Sequence, residues 1–341
     1  MAPAQAEFGV FLPPERIANV IPTQGFQFFE KTAQTCERLG YKVVFSADHW
    51  MEVVSSVMYE CWTLLGALAT VTSKIRLGSV VTPIPLYHPP SLAKRVATVD
   101  HISRGRTTFG AGCGWYEEEF NAYGVEFDPL RTRVERMMEG LEIMTRLWSQ
   151  EEPVTYHGRF YTVENAICLP KPVQKPHIPI WFGGTSRSIL KAVGKYGDGW
   201  IPFGLTPEDY RQKLAVVRKY ADKHGRDPDT ITPGLAIRLI VGKSSGRIEE
   251  VLRKLRIPAD PRTDKQTGLN REGLAKYGVD LARGASDFDL ITFVGTPGEI
   301  TDRLRKYSDA GVKFFRVGIL DEERYVEDAE LFANEVMPHF T

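Results

Sequence analysis

The chain has 341 residues, with 43 basic and 43 acidic side chains and a formal net charge of zero. Hydrophobic residues make up 43% of the chain and charged residues 25%, values typical of a globular rather than a disordered protein. The charge balance argues against a nucleic-acid binder, which needs an excess of Lys and Arg, and no apolar run approaches the ~18 residues of a membrane span. The four scattered cysteines have no zinc-site or disulfide-framework spacing, so we expect no metal and a cytoplasmic location.

Short apolar runs alternate with helical patterns, as expected of parallel strands covered by helices on both faces. Eight strands are predicted, over Phe8–Leu12, Val43–Ala47, Ile75–Val81, Thr107–Ala111, Pro179–Phe182, Trp200–Phe203, Leu235–Val241 and Phe314–Ile319. Helices are predicted between them, for example over Thr23–Leu39 and Arg131–Trp148. This alternation predicts an α/β fold of the (β/α)8 TIM-barrel type in one domain, residues 1–341. A doubly wound open sheet is the alternative, but no Gly-x-Gly-x-x-Gly motif follows the first strand.

Three segments are too long for ordinary connections. Trp115–Pro129 follows the fourth predicted strand, and Lys243–Leu290 follows the seventh. Gln150–Ile178 holds a predicted hairpin over Val154–Val163. Because TIM-barrel active sites lie at the C-terminal ends of the strands, we expect the insertions after strands four and seven to border the site. The second of these, residues 243–290, is predicted to be a lid.

An acid and an imidazole stand side by side where the second predicted strand ends, in Phe45-Ser-Ala-Asp-His-Trp50. Asp48 and His49 are candidates for a pair that faces a cleft, since His titrates near neutral pH. The alternative is a capping Asp beside a packed His. The three acids Glu117–Glu119 are interpreted as the solvated first turn of a short helix, where the helix dipole favours negative charge.

Glycines mark the ends of the next three strands. In Gly78-Ser-Val-Val-Thr-Pro83 and Phe109-Gly-Ala-Gly-Cys-Gly114 they allow close approach of a planar ligand, or else a tight turn. Cys113 has no base beside it in the sequence, which argues against a nucleophile. In Trp181-Phe-Gly-Gly-Thr-Ser-Arg187 they lead into a helix, whose free N–H groups favour a phosphate site; a simple capped turn is the alternative.

Taken together and in order, these motifs resemble the bacterial luciferase-like superfamily, most closely its branch that uses the deazaflavin coenzyme F420. The segments that carry the resemblance are Phe45–Trp50, Gly78–Pro83, Gly105–Phe120, Tyr123–Pro129, Pro170–Pro176, Trp181–Ser186 and Gly197–Trp200. The resemblance implies a TIM barrel, which agrees with the strand count. Members act as F420-dependent hydride-transfer enzymes or as monooxygenases that use reduced FMN.

The resemblance also implies roles for individual residues. It places Asp48 and His49 beside the cofactor ring, with His49 as the acid–base group oriented by Asp48. It places Ser79, Val80, Gly112 and Cys113 near the ring and implies a cis peptide bond at Ser79–Val80. The phosphate would bind to Gly183, Gly184, Thr185 and Ser186.

One position departs from the family pattern. Sugar-phosphate dehydrogenases of this branch carry a Glu directly after the Gly-x-Gly of the fourth strand, where this chain has Trp115. We therefore expect Trp115, with Trp50, to form an apolar wall of the substrate pocket.

The expected function is hydride transfer between F420 and an organic substrate. The alternative is a two-component monooxygenase with FMN and a separate flavin reductase as partner. A flavin-binding storage protein is a third possibility, against which the retained Asp48-His49 pair argues. A homodimer is expected from the resemblance, and a small molecule is expected as substrate.

Overall fold

The computed structural model describes residues 5–12, 25–51, 58–255 and 290–340. Its strands are β1 (Glu7–Phe11), β2 (Val43–Ser46), β3 (Arg76–Ser79), β4 (Thr82–Pro83), β5 (Thr107–Gly112), β6 (Val154–His157), β7 (Thr162–Ala166), β8 (Ile180–Phe182), β9 (Gly199–Trp200), β10 (Thr232–Val241), β11 (Thr292–Gly295) and β12 (Phe314–Ile319). Its α-helices are α1 (Phe26–Arg38), α2 (Cys61–Val71), α3 (Pro89–Ile102), α4 (Glu117–Ala122), α5 (Leu130–Ser149), α6 (Arg187–Tyr196), α7 (Pro207–Lys223), α8 (Ser245–Lys254), α9 (Pro297–Asp309) and α10 (Tyr325–Glu335).

Eight parallel strands close into a barrel, in the order β1, β2, β3, β5, β8, β9, β10 and β12. The predicted TIM barrel is therefore confirmed. The two-residue strand β4 extends the β3 side upward and pairs with the end of β5, Thr82 against Ala111. The antiparallel hairpin of β6 and β7 forms a separate sheet, in the region where the sequence predicts one.

One further parallel strand, β11, was not predicted. It pairs with the upper end of β10, where Arg238 lies against Thr292 and Val241 against Gly295. β12 occupies one edge of β10, so β9 and β11 share the other edge, with β9 at Thr232 and Pro233. In the predicted lid, α8 forms the start, whereas residues 256–289 lie outside the described residues; the lid stays a prediction.

Large side chains fill the inside of the barrel. Val43, Phe45, Trp181, Ile201, Ala236 and Phe314 form a buried cluster there. The ring centroids of Trp181 and Phe314 are 4.8 Å apart, and those of Phe45 and Trp181 are 6.0 Å apart. Because this layer is packed, a ligand can bind only above it, at the C-terminal mouth. Among the described helices, none is both long and apolar enough to cross a bilayer.

Candidate active site

A contact between His49 and Glu119 joins the segment after β2 to helix α4 at the barrel mouth. The His49 ring Nδ1 lies 3.1 Å from Glu119 Oε2 on α4, and the Glu119 side chain is only 1% exposed. The same carboxylate accepts a hydrogen bond from the backbone N–H of Trp50, at 2.6 Å. Glu119 therefore fixes both the His49 ring and the backbone that carries it. With Nδ1 directed at the carboxylate, the His49 Nε2 is the nitrogen left to meet a ligand.

Two aromatic rings stand around His49. The Trp115 ring makes an edge contact with the His49 ring at 5.5 Å between centroids, and the Tyr116 ring does so at 6.3 Å. Trp115 therefore lies beside His49, and its part in an apolar wall of the substrate pocket stays a prediction. Glu119 lies four residues after Trp115 and reaches His49 from α4.

Asp48 has a different partner from the predicted one. Its Oδ1 accepts a hydrogen bond from the Tyr87 hydroxyl at 2.8 Å, and the Tyr87 oxygen accepts one from Trp50 Nε1 at 2.9 Å. The prediction that Asp48 orients His49 was wrong, because Glu119 binds the ring. Burial raises the pKa of Asp48 to about 6, although hydrogen bonds with the Thr82 and Tyr87 hydroxyls favour the ionised form. Asp48 Oδ2 is fully buried.

The segment after β3 forms a bulge against β5. The Ser79 hydroxyl accepts a hydrogen bond from the Gly110 N–H at 3.1 Å, so the predicted ligand Ser79 is buried and engaged within the protein. The cis peptide bond lies at Val80–Val81, one residue later than predicted. Val80 remains partly exposed at the mouth, whereas Val81 packs on Gly112.

The bulge explains why β5 has glycines at positions 110 and 112. A Cβ on Gly110 would collide with the Ser79 carbonyl oxygen, and one on Gly112 would lie 2.5 Å from Val81 Cγ2. The bulge can therefore pack against β5 only because these two positions are glycines. Desolvation raises the pKa of the adjacent, half-buried Cys113 thiol, and a raised pKa disfavours the thiolate that a nucleophile needs.

The predicted phosphate cradle lies at the start of α6. Ser186 is the N-cap residue, and its hydroxyl accepts a hydrogen bond from the Ile189 N–H at 3.4 Å. Gly184 has a φ of 83°, a left-handed conformation that favours glycine, and its carbonyl accepts a hydrogen bond from Trp200 at 2.9 Å. The turn thus leaves the first N–H groups of the helix open to an anion.

The predicted phosphate cradle lies next to the bulge and near the charged side chain of Lys213. A Cβ on Gly183 would stand 3.9 Å from Val81 Cγ1. Lys213 of α7 reaches the buried Thr185 with its Nζ 3.5 Å from the carbonyl oxygen. Arg187, in contrast, is exposed and hydrogen-bonds to Tyr220, away from the cradle.

Sequence reasoning missed three participants: Glu119, Tyr87 and Lys213. The interpretation of Glu119 as solvated was wrong, because the phase of α4 turns it inward while the neighbouring Glu118 stays exposed. One available indication was the apolar Phe120 next to it, which marks the buried side of the helix. Tyr87 and Lys213 come from elements distant in the sequence, and no local pattern identifies them.

Comparison with known proteins identifies the family. A family model described as luciferase-like monooxygenase matches residues 6–313. The chain belongs to the luciferase-like monooxygenase family. It is therefore an oxidoreductase of that family.

Named relatives of this family member use different chemistries. Phthiodiolone/phenolphthiodiolone dimycocerosates ketoreductase of Mycobacterium tuberculosis is 32% identical over 290 residues, 75% of this chain and 73% of the relative. The FMNH2-dependent dimethylsulfone monooxygenase of Pseudomonas putida is 26% identical over 320 residues, 90% of this chain and 86% of the relative. A solved F420-dependent secondary alcohol dehydrogenase, in complex with an F420–acetone adduct, superposes with a TM-score of 0.79 at 22% identity, with 99% of each chain covered. That last likeness supports the fold.

Proposed function

We propose that this chain transfers a hydride between coenzyme F420 and a carbonyl or alcohol substrate. The observation that carries the proposal is the contact of the partly exposed His49 ring with the buried Glu119 at the mouth, beside Trp115. Reduction of a carbonyl needs a proton on its oxygen, and an imidazole backed by a carboxylate is suited to deliver it. The 32% identity to a protein named as a ketoreductase supports the same reaction class.

The residues at the mouth fit such a cofactor. The cradle of Gly183, Gly184, Thr185 and Ser186 offers helix N–H groups to a phosphate, with the Lys213 charge beside it. The buried Asp48 Oδ2 supplies a polar atom for the edge of a ring. Val80 at the mouth offers an apolar surface for the face of a ring. We propose that these residues hold F420.

The protein's part in the reaction is orientation and proton transfer. When bound, reduced F420 supplies the hydride from C5 of its ring. His49 donates a proton from Nε2 to the carbonyl oxygen of the substrate, and the Glu119 carboxylate stabilises the charged imidazole before that transfer. In the reverse direction, His49 accepts the alcohol proton. Trp115 and Trp50 limit the access of water to the reacting atoms.

A second candidate is a monooxygenase that uses reduced FMN from a separate flavin reductase. The observation that favours it is the 26% identity to an FMNH2-dependent monooxygenase, which extends over 90% of this chain. Both cofactors carry a phosphate and a planar ring, so the cradle and the bulge suit either. We propose the F420 assignment, with FMN as the alternative.

The deciding experiment is a fluorescence titration of the purified chain with F420 and with FMN, each oxidised and reduced. We expect tighter binding of F420, and reoxidation of reduced F420 when ketones are added without oxygen. Tight binding of FMN with no binding of F420 would overturn the proposal. Oxygen consumption with reduced FMN would then identify a monooxygenase. No oxygen consumption would identify a flavin-binding storage protein.

We further propose a cytoplasmic small-molecule enzyme. The four cysteines are all free thiols, as is usual in a reducing compartment. The homodimer stays a prediction, to be checked by light scattering of the purified chain.

A further inference from the structure

The insertion after β5, residues 113–129, carries groups that stand around His49. It joins the end of β5 to the start of α5. Trp115 lies near its beginning, and Glu119 lies in α4, a helix of only 6 residues. Because so short a helix is not stable by itself, contacts outside α4 must determine where Glu119 lies.

The Arg133 side chain on α5 binds both ends of this insertion. Its Nη1 donates a hydrogen bond to the carbonyl oxygen of Gly114, the residue before Trp115. Its Nε donates one to the carbonyl oxygen of Asp128, at 2.8 Å. The guanidinium carbon Cζ lies 3.9 Å from the centroid of the Phe127 ring, and Arg133 is only 3% exposed. One buried guanidinium therefore connects the two ends of the insertion to each other and to α5.

The Phe120 ring connects these contacts to α4. It makes an edge contact with the Phe127 ring, at 5.3 Å between centroids, and the residue is fully buried. A Cβ on Gly114 would lie 2.3 Å from Phe120 Cζ, so the ring packs directly on the Gly114 backbone. Phe120 thus lies between two groups that the guanidinium holds, and it follows Glu119 directly in the chain. A movement of α4 that took Glu119 away from the imidazole would have to pull Phe120 out of this packing.

The two carbonyl contacts depend on the shape of the guanidinium. Its N–H groups form a rigid fork, which can reach two acceptors in different directions at once. A lysine ammonium is a single point of charge on a flexible stem, so we expect a lysine at this position to bind only one end of the insertion. The described hydrogen bonds of Arg133 go to backbone carbonyls rather than to His49 or Glu119. Any influence of Arg133 on that pair therefore passes through the insertion.

We propose that Arg133 is a positioning residue, which holds both ends of the insertion after β5 and thereby keeps Glu119 against His49. The inference rests on the proposed function, which assigns the proton transfer to His49. It deepens that function because it makes the acid–base group depend on a side chain of α5. The same dependence applies to Trp115, which follows the Gly114 carbonyl that Arg133 binds.

The first test uses the chain without cofactor. Incorporation of ¹⁵N-labelled histidine gives NMR signals of the His49 ring nitrogens, which report the hydrogen bond at Nδ1 and are assigned by their loss in His49→Ala. We expect Arg133→Met to move the Nδ1 signal in the same direction as Glu119→Gln does, and Arg133→Lys to move it less. The matched control is Arg131→Met near the start of the same helix, where the side chain is 92% exposed. It should leave the signal unchanged.

The second test separates positioning from a general structural role. Turnover is measured as anaerobic reoxidation of reduced F420 by ketones, for Arg133→Met, for Glu119→Gln and for the double variant. Arg133→Met should lower kcat by about 10-fold with unchanged F420 affinity, the factor expected from loss of a charge-assisted hydrogen bond. If Arg133 acts through Glu119, the double variant is as slow as Glu119→Gln alone, whereas independent effects multiply.

A His49 signal that stays in place in both Arg133 variants would overturn the inference, as would effects on kcat that multiply in the double variant. Circular dichroism checks that each variant folds, and if Arg133→Met does not, Arg133→Lys replaces it in both measurements. A moved signal in a chain without F420 turnover would support the positioning role and count against the proposed function alone. An unmoved signal beside a slow Glu119→Gln would overturn the positioning role alone.

Discussion

Glu119→Gln removes one buried charge from the mouth while keeping the shape of the side chain. Glu119 accepts hydrogen bonds from the His49 ring at 3.1 Å and from the Trp50 N–H at 2.6 Å. Glutamine retains one acceptor oxygen, but its NH2 group replaces the second oxygen with a donor. The glutamine oxygen can keep the hydrogen bond from Trp50, whereas its NH2 group can bond to His49 Nδ1 only in the neutral tautomer that carries its proton on Nε2.

The size of the effect follows from these contacts. A hydrogen bond to a charged group contributes about 1.5–3 kcal/mol, so we expect the free energy of unfolding to fall by about 2 kcal/mol. The His49 ring also loses its orientation and the charge that stabilises its protonated form. We expect turnover to fall by about 100-fold, the low end of the contribution of a positioned acid–base group.

Urea denaturation measures the first effect, and anaerobic reoxidation of reduced F420 by a panel of ketones measures the second. The matched control is Glu118→Gln, on the exposed face of the same helix, which should change neither quantity. If Glu119→Gln were as active as Glu118→Gln, Glu119 would have no part in catalysis. A large loss of stability with unchanged turnover would restrict Glu119 to a structural role.

Three further predictions concern other parts of the mouth. His49→Ala should slow turnover far more than it weakens cofactor binding, as measured by steady-state kinetics and fluorescence titration; unchanged turnover would remove His49 from the mechanism. Because burial raises the pKa of Asp48 to about 6, its ionisation opposes folding at neutral pH, so the stability of Asp48→Asn relative to wild type should rise by about 3 kcal/mol from pH 3 to pH 8 in urea titrations. A difference that is independent of pH would contradict this. Gly110→Ala, which places a Cβ against the Ser79 carbonyl, should destabilise the chain by about 3 kcal/mol, whereas Gly298→Ala in open space should not; equal midpoints in urea would refute the steric explanation.

The barrel was predictable because its strands are short, apolar and separated by helical patterns. The strand β11 was missed for a specific reason. Thr292–Gly295 adds no position to the barrel ring, so eight strands already completed the expected count without it. Only the pairing with the upper end of β10 reveals it, and that pairing joins residues more than fifty positions apart in the chain.

The sequence predicted the segments that meet at the mouth, but not the hydrogen bonds between their side chains. The end of β2, the glycines of β5 and the turn before α6 are local motifs, and each appears at the mouth. The partner of His49 depends instead on which side of α4 faces the barrel. Three consecutive glutamates look alike in the sequence, and only packing of Phe120 in the core selects Glu119 over Glu118. Likewise, the partner of Asp48 is Tyr87, 39 residues away.

The shared edge of β10 has a consequence for how this barrel can diversify. Ring closure on that side needs only Thr232 and Pro233 against β9, at the lower end. The upper rim is built by β11, whose pairing is independent of that closure. The stretch of chain between Val241 and Thr292 can therefore lengthen or shorten without opening the ring. Changes in its length would leave the turn before α6 intact, so this side of the barrel can vary while the ring stays closed.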